Sequence, residues 1–497
     1  RQATTSGNVR IVAPGSFSFT GVTFSRDGRF IYFTAFDSKG QTGVYRIATL
    51  GGDSQRVIAD ASGPVSLSPD DARLALVRRD RELVIANSDG SNAVTRLVAD
   101  NSEALWLPTW SPDGKTIVLR TYTALDSLVR LAAVSVNDGT RTSVGSDSWY
   151  YIGGLAWLPD GSGLLFTGRD LETQSSQIWF ASYPDGKLSR VTNDLGTYIG
   201  ISLSDDGKTA VTTQESRQSN IWTTDEANPD KARRLTEDLG RDDGLSGVVW
   251  APDGRIVYTT RIAATQDLWV SDPANGSNRQ LTFNTGSNYN PAVTPDGKYV
   301  VFVSNRTGNL NLWRIEIDGN NPIQLTDSPG IERQPSITPD GKWVFYAYSD
   351  HERRGSIWKV PVEGGEPVQV VAEQSSEPKI SPDGKLFACK FRRANESMSV
   401  AIFSIDGGAP IQQMSQRELI GSPVFKWSPD GRSILYIASS EHGSGLWSQP
   451  LDNGERKLLT EARDQLIWAF DVSGNNNGFV FARGSETSDA IMINNFR

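Results

Sequence analysis

Three successive stretches of the chain set an amide or a carboxylate directly before a proline: Asn290-Pro291, Gln334-Pro335 and Glu377-Pro378. Each pair begins six residues ahead of a turn aspartate, Asp296, Asp340 or Asp383. Brought to one centre, such groups hydrogen-bond a ligand and orient it. Tyr289 and Arg333 stand beside two of them, and Tyr150, Tyr151, Tyr198, Trp106 and Trp468 occupy the same class of segment elsewhere. Asn290, Gln334, Glu377, Arg333, Tyr289, Tyr151, Tyr198, Trp106 and Trp468 therefore form the candidate ligand-binding set, an aromatic and polar rim. A second chemistry is open to Glu377 and Asp243. Carboxylates about 5–10 Å apart with raised pKa values could run a hydrolase or lyase reaction.

Other catalytic sets are missing. The histidines, His351 and His442, fall in comparable turns of separate segments, where exposed loop residues are expected and no metal spacing is formed. Cys389 is the only cysteine and lies in the apolar run Leu386-Phe387-Ala388-Cys389, which predicts a buried, inert thiol. No Gly-x-Ser-x-Gly elbow, His-Arg-Asp loop, Asp-Phe-Gly or phosphate-binding glycine loop occurs. Oxygen-rich turns such as Asn87-Ser88-Asp89-Gly90-Ser91-Asn92 could attract calcium, but hairpin geometry already demands these residues. We expect no metal, no cofactor and no enzyme.

The elements that position the candidate residues are set by a repeat. A Ser/Thr-Pro-Asp-Gly segment or a close variant of it recurs with its aspartates at 27, 70, 113, 160, 206, 253, 296, 340, 383 and 430, spaced 43 to 47 residues apart, and a decayed copy follows at Ser473-Gly474-Asn475. Such a period marks a propeller or solenoid array. In the unit Pro291–Thr326, Pro295-Asp296-Gly297 closes a hairpin. The run Tyr299-Val300-Val301-Phe302-Val303 reads as a strand covered on both faces. Asn311–Glu316 alternates, Asp318-Gly319 turns again, and Ile323–Thr326 ends a four-stranded blade. Ten of the fourteen tryptophans hold repeat-equivalent positions: Trp179, Trp222, Trp269, Trp313, Trp358 and Trp447 on the third strand, and Trp110, Trp157, Trp250 and Trp427 at the end of the first. They are expected to pack between blades.

The fold class is all-β, with about eleven four-stranded blades. Propellers close with four to eight blades, so the expected division is two rings in tandem, 1–228 with about five blades and 229–497 with about six. Val9-Arg10-Ile11-Val12 and Arg233-Arg234-Leu235-Thr236 could each lend a closing strand. A four-plus-seven division, one ring inserted in the other, and a single large ring also fit the spacing. A net charge of −9 argues against nucleic acid as a partner. No apolar stretch is long enough to span a bilayer as a helix. The chain begins at Arg1 without an apolar signal core, so any targeting segment is expected to have been removed or to lie outside the sequence.

The repeats resemble the PD40 or TolB-type (WD40-like) β-propeller family. The residues that carry this likeness are the Ser-Pro-Asp-Gly turn, Leu268-Trp269 with Arg279-Gln280-Leu281-Thr282, and Leu312-Trp313 with Gln324-Leu325-Thr326. The full set of units, ending in Phe481-Ala482-Arg483-Gly484 and Asn494-Asn495-Phe496, also resembles the C-terminal extracytoplasmic region of bacterial membrane-anchored Ser/Thr kinases and winged-helix regulators. That resemblance implies a noncatalytic sensor or docking domain, periplasmic or extracellular, binding a protein, peptide or cell-envelope ligand. A channel-based carbohydrate- or peptide-processing enzyme and a self-associating surface protein are the alternatives.

Overall fold

A computed structural model of the chain describes residues 18–494 and 496, apart from 37–41, 124–127, 171–174, 195, 226–227, 238–240, 263–264, 284, 351–353, 394–395, 397, 416–418, 420, 423, 441, 453 and 474–477. Val9-Arg10-Ile11-Val12, His351 and Gly474-Asn475 thus lie outside the described residues. The named elements are strands, which among the described residues form eight antiparallel meanders of four and one larger sheet.

The motif copies share one backbone turn, which all but those at Leu158 and Ala251 reinforce with a hydroxyl. Thr294 Oγ1 donates to Asp296 Oδ1 (2.5 Å) and accepts from the Tyr299 N–H (2.9 Å), while Asp296 Oδ1 also accepts from the Lys298 N–H (3.0 Å). Gly297 adopts φ 72°, a region that costs glycine nothing. A β-carbon there would stand 3.7 Å from Pro252 Cδ of the preceding turn, and Gly341 sits likewise over Pro295, Gly384 over Pro339 and Gly431 over Pro382. The motif therefore closes its own hairpin and stacks it on the one before, which is why its period is so even. The threonine that ends several of the blades has its own task. Thr236, Thr282 and Thr326 accept the third-strand N–H groups of Ile221 (3.0 Å), Leu268 (3.0 Å) and Leu312 (2.9 Å).

The chain packs as two compact units, Arg1–Glu215 with Ser488–Arg497, and Ser216–Thr487. In the first, four sheets of four strands begin at Ser18–Phe24, Ser66–Leu67, Glu103–Trp110 and Tyr151–Trp157, and Thr197–Leu203 pairs with the early part of Thr209–Asp225. In the second, four-stranded meanders begin at Asp242–Trp250, Asn288–Val293, Ile331–Ile337, Gln374–Ile380 and Phe425–Trp427. A sixth sheet joins Leu466–Val472 and the strand from Gly478 to the later part of Thr209–Asp225 and to Asn228–Arg234. It draws strands from both ends of the unit, so hydrogen bonds fasten the ring where an open edge would otherwise lie.

Apolar layers separate successive blades. In the second unit Val257, Leu268, Phe302 and Ile315 fill one such layer, and Ile221, Val248, Tyr258, Ala469 and Val480 fill the layer between the sixth sheet and the first. The tryptophans line these layers. Trp110, Trp157 and Trp427 are buried, but the third-strand indoles are only half-buried. An arginine covers the outer face of several of them: Arg190 over Trp179 (4.6 Å), Arg306 over Trp313 (4.5 Å) and Arg456 over Trp447 (4.6 Å). The exposed side of each ring is thus shielded by a cation above its π-face.

Candidate functional site

The first strands of the six blades surround a cavity of about 330 Å³ in the second unit. Asn290, Gln334 and Glu377 line it, at φ 48°, 58° and 58°. Each falls at a register shift in its strand, between Tyr289 and Ala292, Arg333 and Ser336, and Ser376 and Lys379. The proline that follows cannot join the ladder, and the bulge turns the preceding side chain toward the axis. A left-handed backbone in a non-glycine residue costs about 1–3 kcal/mol and gathers at binding sites. Gly200, Gly247 and Leu107 hold the same repeat position, also with positive φ. Glycine in equivalent copies was the sequence signal that could have located the bulge.

The bulge side chains also link the blades. Asn290 Nδ2 donates to Ser246 O (3.1 Å), and Gln334 Oε1 accepts from the Glu377 N–H (3.2 Å).

A second tier lies two residues further on: Val249, Ala292, Ser336, Lys379, Lys426 and Asp471, all in the cavity wall. At two of these positions a side-chain oxygen accepts the backbone N–H of the next blade. Ser336 Oγ takes that of Ile380 (3.1 Å), and Asp471 Oδ2 takes that of Trp250 (2.8 Å), across the closure of the ring. Lysine has no acceptor. At Lys379 the main-chain carbonyl accepts from Trp427 Nε1 (2.8 Å), as the Thr109 carbonyl does from Trp157 Nε1 (3.2 Å).

The charges are unevenly matched. Lys426 Nζ pairs with Asp471 Oδ1 (2.6 Å), and Lys390 Nζ pairs with Glu377 Oε1 (2.9 Å) while donating to Ser422 O (3.0 Å). Glu377 Oε2 is buried without a hydrogen-bond partner. Lys379 Nζ makes no hydrogen bond or ion pair among the described residues. Burial lowers the Lys379 pKa to about 8, helped by the charges of Lys426 and Lys390 and opposed by Glu377 and Asp471. Sequence reasoning missed all three lysines.

The remaining candidates do not join this site. Tyr289 packs into the layer between blades, and Arg333, which is exposed, and Trp468, which is half-buried, lie one position ahead of their bulges and off the cavity wall. Asp243 is buried in its sheet, where Oδ1 accepts from Thr260 Oγ1 (2.9 Å), so it does not face Glu377 across the cavity. Trp106, Tyr151 and Tyr198 belong to the first unit. Trp106 and Tyr151 flank the guanidinium of Arg120, at 4.9 and 5.9 Å, while Arg120 Nη1 donates to Ile152 O (2.7 Å). Tyr198 is buried and donates to Asp194 Oδ2 (2.6 Å); burial first, and then this contact, pushes its phenol pKa up. Cys389 is buried, and burial raises its thiol pKa. His442 Nδ1 stands 3.4 Å from Glu461 Oε2, in a blade edge away from the cavity.

No curated protein matches the chain. Among solved structures, an Agrobacterium tumefaciens protein assigned as TolB is similar at 21% identity, over 56% of this chain and 83% of its own, with a TM-score of 0.26. TolB from Acinetobacter baumannii is similar at 14% identity, over 71% of this chain and 79% of its own, with a TM-score of 0.30. Oligogalacturonate lyase from Vibrio parahaemolyticus is similar at 14% identity, over 71% of this chain and 93% of its own, with a TM-score of 0.29. Residues 245–467, which include five of the blades around the cavity, match the family model described as PD40, the TolB beta propeller domain.

Proposed function

We propose that the chain is a noncatalytic binding module that takes a peptide, protein terminus or cell-envelope ligand into the central cavity of the second unit. The observation that carries this reading is the pair of polar tiers around that cavity, built on backbone strained at Asn290, Gln334 and Glu377. Strain of this kind is tolerated where orientation of a side chain has a use. The carboxylates that line the wall, Glu377 and Asp471, are each held by a lysine, which favours recognition over paired acid/base chemistry. The likeness of residues 245–467 to TolB-type propellers agrees with a periplasmic or extracellular bacterial setting, and we extend the reading to a sensor or docking role. Resemblance to the extracytoplasmic regions of kinases and winged-helix regulators supports that extension.

The test uses Ala292→Trp, which fills the cavity from a residue that does not itself have a positive φ. Protein and variant are incubated with a mixture of short peptides and envelope extract, washed, and read by mass spectrometry and hydrogen exchange. The reading requires a species retained by the protein and lost from the folded variant, with protection centred on residues 288–293, 331–337 and 374–380. Equal retention by both would refute it.

A further inference from the structure

Lys379 has no structural employment. In the other intact copies of the repeat, apart from Lys426, its position holds threonine, serine, alanine or valine, and the side-chain oxygens that tie blades together there, Ser336 Oγ and Asp471 Oδ2, have no equivalent on a lysine. Lys426 is neutralised by Asp471 and Lys390 by Glu377. Lys379 is therefore the cation left over in the wall. Beside it, Gln334 is oriented through Oε1 by the Glu377 N–H, which leaves its amide nitrogen as a donor with no partner among the described residues. The opposite arc of the wall carries Gly247, Val249 and Ala292. The cavity thus has an arc of mixed charge, Lys379 and Lys426 with Glu377 and Asp471, in which Lys390 from outside the lining pairs with Glu377 and leaves one cation in excess, and a small apolar arc.

We propose that this cavity binds a carboxylate, with Lys379 Nζ as the ion-pairing partner, Gln334 Nε2 as a hydrogen-bond donor, and the apolar part of the ligand against Val249 and Ala292. This rests on the reading of the cavity as a binding site and specifies its ligand chemistry. A charge-assisted pair gives the strongest contact such a wall can offer. A cavity of about 330 Å³ stands at the small end of ligand pockets, so the carboxylate belongs to a chain end or a small acid. The amine faces Lys426, Lys390, Glu377 and Asp471, and its charge is the one that titrates near the working range.

The test is calorimetric titration of the full chain with the N-acetylated tripeptide Ala-Ala-Leu as free acid, with its C-terminal amide, and with butyrate, at pH 7 and pH 9.5. Free acid is expected to bind at least tenfold more tightly than amide, and Lys379→Met to lose at least tenfold in affinity for acid. Binding should weaken at least tenfold at pH 9.5 in the protein but not in Lys379→Arg, which keeps its charge. Tripeptide preferred over butyrate assigns a chain end, and the reverse a small acid. Equal affinity for acid and amide, both blocked by Ala292→Trp, would overturn the carboxylate while leaving the cavity as a binding site. Binding unaffected by Ala292→Trp would overturn both, and absence of binding by every probe would overturn the carboxylate assignment.

Discussion

Replacing Lys379 by methionine should make the second unit more stable at neutral pH. The substitution keeps most of the aliphatic stem and removes the ammonium. Lowering the amine from its ordinary value of 10.5 to about 8 means that the folded site resists the charged form. At about 1.4 kcal/mol for each tenfold change in proton affinity, holding that charge costs about 3 kcal/mol at pH 7. The side chain is partly open to the cavity, and solvent screening reduces the figure, so a gain of about 1–3 kcal/mol is expected. The sign with pH follows from linkage. Between about pH 8 and 10.5 the unfolded amine holds its proton and the folded one has released it, so stability rises with pH in that window and is flat below it. A chain of two units need not unfold in one step, so the readout should be local: exchange of the amide of Ala388, which is paired with Lys379 in its sheet. The variant should show slower exchange than the protein at pH 7, with the difference shrinking toward pH 10 after correction for intrinsic rates. A loss of 1 kcal/mol or more at pH 7, or a difference that does not change with pH, would mean that the amine holds the ring together and that the reasoning about an unemployed cation is mistaken.

Other outcomes follow from the scaffold. Gly200→Ala should cost about 1–2 kcal/mol, measured by urea unfolding of the first unit; φ there is 67° and a β-carbon added at that position would meet no atom within 4 Å, so a neutral result would discount the bulge conformation. Trp313→Ala should cost about 3 kcal/mol, the lower end for a large core truncation, because the ring is half-buried beneath Arg306; a change below about 0.5 kcal/mol would show that it packs against nothing. The turn carboxylates of Asp296, Asp340 and Asp383 are lowered, first by the hydroxyls of Thr294, Thr338 and Ser381 and next by a backbone N–H. Their contribution is present above the ordinary carboxylate pKa and is lost as pH falls through the lowered values. Circular dichroism during acid titration should therefore show a transition below about pH 4 that weakens in the triple Asp→Asn variant.

What the sequence determined by itself is local and periodic. The Ser/Thr-Pro-Asp-Gly turn at Thr294–Gly297 is written in residues that satisfy one another within six positions, and its repetition requires similar sheets placed side by side. The apolar run at Val300–Val303 and the tryptophans at equivalent positions announce layers between those sheets, because only burial on both faces explains them. Asn290, Gln334 and Glu377 could be picked out by their shared spacing. Tertiary structure alone decided which of their neighbours share the cavity with them. Tyr289 and Trp468 are close in sequence to the wall, yet strand alternation and the bulges keep them off it. Lys379, Lys390 and Lys426 look like ordinary strand lysines until Glu377 and Asp471, each from another strand, take up two of them and leave the third. Pairing across strands is a property of distance in space, and a repeat read one copy at a time carries no record of which charges its neighbours have already satisfied.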